Sequence, residues 1–271
     1  MTIAISLKTP EGIVLGADST TTCFVQPGQV GQLYNSAQKI FEIGPVWHRF
    51  VAGECFSGAI VTYDAGSLGP VSWRAAISNF YRERIRHNPR ATDIAHQFLS
   101  FLQECWVGLQ RSGQVAATEP IPNAGFLIAC ISQGCAEVEG ARVQLQAATV
   151  EPQPVGNIHI NGGFEVVSRL LYGYDVGLIG TMAGAGMDVA KFQALAQQFS
   201  AIPNVNWMPL RDAIDFVHFL VYSAIKLHRY RGGPASIGGP IEIAAITPDR
   251  GFRWIVHKRL SESIGIWHGG H

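Results

Sequence analysis

Residues 2–18, TIAISLKTPEGIVLGAD, consist of two apolar runs joined by turn residues. Apolar side chains alternate along the first run, and the second run ends at Asp18. This pattern predicts a β-hairpin that turns at Pro10 and Glu11. Because antiparallel neighbours lie only about 5 Å apart, the hairpin places Asp18 opposite Ile3, close to the amino-terminal residue.

The hairpin starts at Thr2, which becomes the N-terminus once Met1 is removed. A free α-amine titrates at about 7.7 to 8.0, so near neutral pH part of it is unprotonated and can accept the hydroxyl proton of the same residue. Thr2 is therefore a candidate nucleophile that carries its own base. A Met-Thr start alone indicates nothing, and the residues that follow give it significance.

Two further strands are predicted at residues 39–43 and 49–52, with Lys39 opening the first and Gly53 directly after the second. A lysine held against the hairpin carboxylate stabilises an alkoxide-like oxygen and lowers the proton affinity of the neighbouring amine. Gly53 can present a backbone N–H where an oxyanion develops. Each residue alone is more often an ordinary surface or turn residue than a functional one, and only the combination points to a site. The predicted catalytic set is Thr2, Asp18, Lys39 and Gly53.

Several segments of the chain resemble the N-terminal signature of proteasome β-type subunits, which belong to the Ntn-hydrolase superfamily. They are Thr2, GADS at 16–19, QKI at 38–40 and FVAG at 50–53. Near the other end, IGGPIEI at 237–243 and ITPD at 246–249 resemble the penultimate strand and turn of the bacterial proteasome-related proteins. The resemblance covers both ends of the chain and is loose between them.

The resemblance implies an α+β fold, a four-layer αββα Ntn-hydrolase sandwich of two antiparallel sheets covered by helices, in a single domain over residues 1–271. It also implies an N-terminal threonine hydrolase that cleaves peptide amides through an acyl-enzyme, with peptides or unfolded proteins as substrates. Self-assembly into rings follows from the same resemblance, and the sequence leaves any ATPase partner unidentified.

The sequence departs from that family in the groups that support the N-terminal amine. Active β-type subunits carry a serine before a central helix, where this chain has Asn-Gly-Gly at 161–163. They also carry an Asp/Ser pair before the penultimate strand, where Ile237 takes the serine position and Ser236 lies one residue away. The interval between Asp18 and Lys39 is longer than usual, which places an insertion at residues 25–34.

Two alternatives to proteolysis therefore stay open. The missing serine and Asp/Ser support favour a non-catalytic ring or scaffold subunit with the same fold. The same N-terminal trio would also serve an amidohydrolase, acylase or transpeptidase, since it suits any acyl transfer.

Composition limits the function classes. The 271 residues are 47% hydrophobic, which suffices for one large core. The formal net charge is zero, which gives no electrostatic footprint for nucleic acid or an anionic membrane. No apolar stretch reaches the roughly 20 residues of a membrane span, and the five cysteines lack CxxC spacing, so we expect a cytoplasmic protein with reduced thiols.

The remaining pattern predicts helices at residues 72–87, 92–109, 164–171 and 209–228, with Ser72 and Thr92 as N-caps. Residues 55–63 also look helical. Strands are predicted at 126–131, 136–138 and 143–150, with a break at 139–140, and two more strands end the sheet. The glycines of 177–190 lack the strand and Lys-Ser/Thr ending of a phosphate loop, and the histidines lack metal spacing, so neither a cofactor nor a metal is expected.

Overall fold

The structure is a computed structural model, and it describes residues 2–26, 29–44, 56–85, 90–131, 137–231 and 236–258, with the backbone alone for 23–26 and 29–30. Gly53 and the strand predicted at 49–52 lie outside the described residues. The strands are β1 (Ala4–Thr9), β2 (Gly12–Ala17), β3 (Thr21–Gln26), β4 (Gln29–Tyr34), β5 (Ile40–Ile43), β6 (Ser57–Asp64), β7 (Ser67–Leu68), β8 (Val71–Ser72), β9 (Ala124–Ile131), β10 (Glu139–Gln144), β11 (Thr149–Gln153), β12 (Ile158–Asn161), β13 (Glu242–Thr247) and β14 (Gly251–Val256).

The α-helices are α1 (Trp73–Arg84), α2 (Ala91–Arg111), α3 (Phe164–Tyr172), α4 (Gly177–Gly184), α5 (Val189–Ala196) and α6 (Leu210–Tyr230). Two short 3-10 helices cover Gln197–Phe199 and Val205–Trp207. The helices at α1, α2, α3 and α6 confirm those predicted from periodicity. Within the described part of the chain, none of the helices combines the length and apolarity that a bilayer crossing requires.

The strands form two main antiparallel sheets of five strands each. The first sheet has the order β12-β1-β2-β13-β14, and the second has the order β11-β10-β9-β6-β5. The hairpins β3-β4 and β7-β8 form small separate sheets. The α+β class expected from the sequence is thus confirmed.

Helices cover both sheets. In the first sheet, Ile5 and its neighbours pack with Val217 of α6 in one buried cluster. In the second sheet, Phe126 of β9 packs edge-to-face against Phe98 of α2, with ring centroids 4.9 Å apart. A third cluster contains Leu15 of β2 together with Leu127 of β9, so residues of both sheets share one core.

Strand β2 shows why the opening stretch is so apolar. Successive side chains of a strand point to opposite faces, and here Val14 joins the cluster around α6 while Leu15 joins the cluster shared by the two sheets. Because both faces are buried, the whole of β2 is apolar or small. At Gly16 a Cβ would lie 2.4 Å from Val217 Cγ1, so only glycine lets α6 approach the strand this closely.

The predicted hairpin at residues 2–18 is confirmed. Thr9 pairs with Gly12 and Ala4 pairs with Ala17, so the turn falls at Pro10 and Glu11. Beyond the last pair, the Asp18 amide donates to the carbonyl of Ile3 at 3.3 Å.

One helix prediction and one strand boundary are wrong. Residues 55–63 looked helical, but Ser57–Asp64 form β6, because they pair with β5 on one side and β9 on the other and this pairing outweighs local propensity. The predicted break at 139–140 lies inside β10, and the turn falls instead at 145–148, where Ala148 has a φ of 53°.

The predicted N-cap at Thr92 is also wrong, since Thr92 lies inside α2. The capping residue is Arg90, whose side chain makes no capping hydrogen bond. Instead, the carboxylate of Glu139 on β10 accepts the Ala91 amide at 3.0 Å, so a neighbouring strand supplies the cap. Ser72 does cap α1, and its hydroxyl accepts the Ala75 amide at 3.3 Å.

Candidate functional site

Thr2, Asp18 and Lys39 meet at one end of the two sheets. Thr2 lies two residues before the start of β1, Asp18 directly follows β2, and Lys39 directly precedes β5 of the other sheet. The ammonium of Lys39 donates to Thr2 Oγ1 at 3.1 Å and to Asp18 Oδ1 at 2.5 Å. One buried lysine therefore joins the candidate nucleophile to the carboxylate.

The carboxylate of Asp18 is fully buried and receives hydrogen bonds on both oxygens. Oδ1 accepts the Ile3 amide at 3.0 Å together with the Lys39 ammonium. Oδ2 accepts the amides of Thr20 at 3.1 Å and Gly238 at 3.0 Å. Three backbone donors and one cation suit the charged form of a carboxylate, which can only accept hydrogen bonds.

The groups around Lys39 have opposite effects on its pKa. Burial lowers the pKa of the Lys39 ammonium below its ordinary value, Asp18 acts to raise it, and the nearby Lys258 lowers it further. The net direction is downward. Lys39 is thus a buried hydrogen-bond donor to Thr2 whose proton is held less firmly than that of an exposed lysine.

A second ionic group lies behind Lys39, and the sequence reasoning missed it. The fully buried Glu242 accepts the backbone amide of Lys39 at 3.2 Å through Oε2. Its other oxygen lies 3.2 Å from both His257 Nδ1 and Lys258 Nζ, at ion-pair distance but outside hydrogen-bond geometry. Lys258 also donates to Ser19 Oγ at 3.2 Å and to the Ala37 carbonyl at 2.7 Å.

One feature of the sequence could have indicated the buried ionic group around Glu242. Glu242 is an acidic residue at the start of a strand whose next four residues are apolar, and a carboxylate in such a position needs a buried partner. Which cation would supply it could not be read from the sequence, because His257 and Lys258 follow the next strand.

The two loops that lack the expected serines pack against each other instead. Ile237 is fully buried, and a Cβ at Gly163 would lie 2.6 Å from its Cδ1 atom. At Gly162, with a φ of +66°, a Cβ would lie 1.5 Å from the Thr2 carbonyl oxygen, so glycine is required there. The loop after Ile237 supports the site through its backbone. The Gly238 amide donates to Asp18, and the Gly238 carbonyl accepts the Ser19 amide at 2.9 Å.

A pocket of about 540 Å³ opens onto Thr2 and Lys39. Thr20, Thr21 and Thr22 line it where the chain enters β3, so the insertion predicted at residues 25–34 falls in the β3-β4 hairpin next to the pocket. The volume lies within the range of about 300–1,000 Å³ that is usual for small-ligand sites.

The predicted oxyanion donor Gly53 lies outside the described residues. Among the residues that are described, no group of three or more His, Cys, Asp or Glu side chains could hold a metal ion. The glycine-rich segment begins with α4, Gly177–Gly184, which has no acidic or basic residue in its terminal turns.

Comparison with known proteins gives similarity at the level of structure alone. No protein-family model and no curated protein matches the chain. A glycine-1 mutant of Anbu from Hyphomicrobium sp. strain MC1 aligns with a TM-score of 0.58 and 14% identity over 96% of this chain and 86% of that chain. The Anbu complex of Pseudomonas aeruginosa, described as a helical assembly, gives a TM-score of 0.59 and 12% identity over 97% and 90%. Anbu from Yersinia bercovieri, described as an ancestral beta-subunit, gives 0.55 and 10% over 94% and 88%.

These comparisons correct the family named from the sequence. The resemblance to proteasome β-type subunits is wrong as an assignment, because the three similar solved structures described above are Anbu proteins. Identities of 10–14% establish a shared fold and no more. Part of the resemblance rested on Thr2, Asp18 and Lys39, residue types that suit N-terminal nucleophile chemistry in general, and such residues do not distinguish one family on a fold from another.

Proposed function

We propose that this chain is an N-terminal threonine hydrolase that cleaves peptide amide bonds through an acyl-enzyme after removal of Met1. One observation carries the proposal: Lys39 donates to both Thr2 Oγ1 and the buried Asp18 carboxylate at the base of an open pocket. A buried cation in contact with a threonine hydroxyl has a direct role where that oxygen becomes negative.

The proposed reaction has two stages. Thr2 Oγ1 attacks the carbonyl carbon while its proton moves to the free α-amine of the same residue. The carbon–nitrogen bond then breaks, and the departing amine takes that proton, which leaves an ester on Thr2. Water, deprotonated by the α-amine, adds to the ester; the Thr2 oxygen leaves with the proton and the acid is released. Lys39 stabilises the oxygen throughout, Asp18 orients Lys39, and Gly53 stays the predicted oxyanion donor.

The proposal includes a specific fold and an assembly. The proposed fold is a four-layer αββα Ntn-hydrolase sandwich in a single domain. The helices that pack against each sheet and the core cluster that the two sheets share support it. Self-assembly into a homo-oligomer is supported by the neighbour described as a helical assembly. Trp207 and Phe199 are 82% and 79% exposed, which suits a contact surface.

The test is the intact mass of the purified protein before and after incubation with a β-lactone that acylates N-terminal threonine. We expect the mass of the chain without Met1, followed by the addition of one adduct. A Thr2→Ala variant should give no adduct. A chain that has lost Met1 and never reacts would refute the proposed chemistry.

A non-catalytic ring or scaffold subunit is the second candidate, and one observation favours it. Where polar groups would support an N-terminal amine, this chain packs Ile237 against the glycine loop at Gly163. Retention of Met1 in protein isolated from cells would select this candidate, because a blocked Thr2 has no free amine. Turnover of small amides but not of peptides would indicate an amidohydrolase instead.

A further inference from the structure

The pocket beside Thr2 has a cationic wall. The cationic or titratable basic side chains that line it are Lys39, Arg74, His257 and Lys258. Two carboxylates, Asp18 and Glu242, lie at ion-pair distance from three of them; both carboxylates are fully buried and are not among the lining residues. Negative charge is thus held behind the wall, and positive charge faces the space that a ligand would occupy.

Among the described residues that line this pocket, Asp64 is the carboxylate. It ends β6 with a φ of 66°, a left-handed conformation that is uncommon for a residue other than glycine. Partial burial raises the pKa of the Asp64 carboxyl, which disfavours its charged form. Asp64 therefore offsets the positive wall only in part.

Arg74 is the cation of this wall that has no carboxylate partner among the described residues. Its guanidinium donates to Gln38 Oε1 and lies 5.7 Å from the ring centroid of Phe41, so two neutral groups hold it in place at the pocket. A guanidinium has five N–H donors in a planar fork that matches the two oxygens of a carboxylate. Several of these donors are left for a ligand.

We propose that this wall binds a carboxylate of the substrate, with Arg74 as the residue that determines the specificity. The proposal rests on the proposed hydrolase function and adds the substrate class to it. The carboxylate comes either from an acidic side chain of a peptide or from a free C-terminus, and both present the same two oxygens to the guanidinium. Lys258 adds a second positive charge on the same wall, which strengthens the attraction at low ionic strength.

The test measures peptide binding in a Thr2→Ala background, where no bond is cleaved. Fluorescein-labelled tetrapeptides ending in glutamate amide and glutamine amide differ only in the side-chain carboxylate. A second pair, ending in glutamine with a free acid or an amide, differs only in the terminal carboxylate. Dissociation constants are measured by fluorescence polarisation for the Arg74 protein and for Arg74→Gln. The matched control is Arg82→Gln, on the same helix but not at the pocket.

We expect the carboxylate member of at least one pair to bind about 10-fold more tightly, the effect of one hydrogen bond to a charged group. The pair that shows the difference identifies the source of the carboxylate. Arg74→Gln should abolish the preference and Arg82→Gln should keep it. Equal binding of both members of both pairs, or an undiminished preference in Arg74→Gln, would overturn the proposal. Since binding needs no turnover, a failure of the hydrolase chemistry would appear separately, as absence of labelling at Thr2.

Discussion

Replacing Lys39 with methionine removes the charge while keeping most of the side-chain volume. The variant loses the hydrogen bond to Thr2 Oγ1 and leaves Asp18 without its cation. A hydrogen bond to a charged group contributes about 1.5–3 kcal/mol, and about 1.4 kcal/mol corresponds to a tenfold change in rate. We therefore expect acylation of Thr2 by a β-lactone to slow about 10- to 150-fold.

The same substitution should also destabilise the protein. The side chains of Lys39 and Asp18 are 6% and 0% exposed, and removing one partner of a buried ion pair costs about 3–5 kcal/mol. The three backbone amides that remain on Asp18 put the expected loss near the lower end, about 3 kcal/mol. Urea unfolding followed by circular dichroism measures it.

A double variant, Asp18→Asn with Lys39→Met, separates the two effects. It leaves no unpaired buried charge, so part of the stability should return while acylation stays slow. Lys191→Met, which removes an exposed lysine on α5, is the control and should change neither quantity. If Lys39→Met folds normally and is acylated at the rate of the unsubstituted protein, Lys39 has no part in activating Thr2.

Three further predictions concern the surroundings of the site and the core. Gly162→Ala should displace Thr2 and abolish acylation, and normal acylation of this variant would contradict the close approach of residue 162 to the Thr2 carbonyl. The control Gly113→Ala, also at positive φ but with open space around it, should only lower stability by about 1–3 kcal/mol. Lys258→Met removes a positive charge that lowers the pKa of Lys39, so that pKa should rise and the alkaline fall of the acylation rate should move to higher pH. An unchanged pH profile, or a fall that moves to lower pH, would contradict the coupling. Phe98→Ala should cost about 3–5 kcal/mol in urea unfolding, and a loss below 1 kcal/mol would contradict its burial between α1 and the second sheet.

The parts of the fold that local pattern determines were predictable from the sequence. The opening hairpin follows from alternation and turn residues, and its register alone brings Asp18 opposite Ile3. The amphipathic helices α1, α2, α3 and α6 follow from periodicity. By contrast, residues 57–64 became a strand because β5 and β9 pair with them, and a pairing with β9, which begins 60 residues later at position 124, has no local signal.

The candidate site divides in the same way. Thr2, Asp18 and Lys39 could be proposed because each lies at the end of a strand that the pattern predicts. Glu242 could not be connected to Lys39, because 203 residues separate them in the sequence. The role of Gly238 was likewise hidden, since it acts through its backbone amide and the side-chain pattern of that loop suggested only a missing serine.

The amide that Gly238 gives to Asp18 comes from a residue 220 positions further along the chain. During synthesis the opening hairpin is made long before Gly238, so the carboxylate of Asp18 receives this donor only after more than 200 further residues have been added. Glu242, which fixes the backbone of Lys39, is made later still. Under the proposed chemistry the site is therefore incomplete until Gly238 and Glu242 have been made, so a growing or truncated chain would carry Thr2 without the groups that position Asp18 and Lys39 around it.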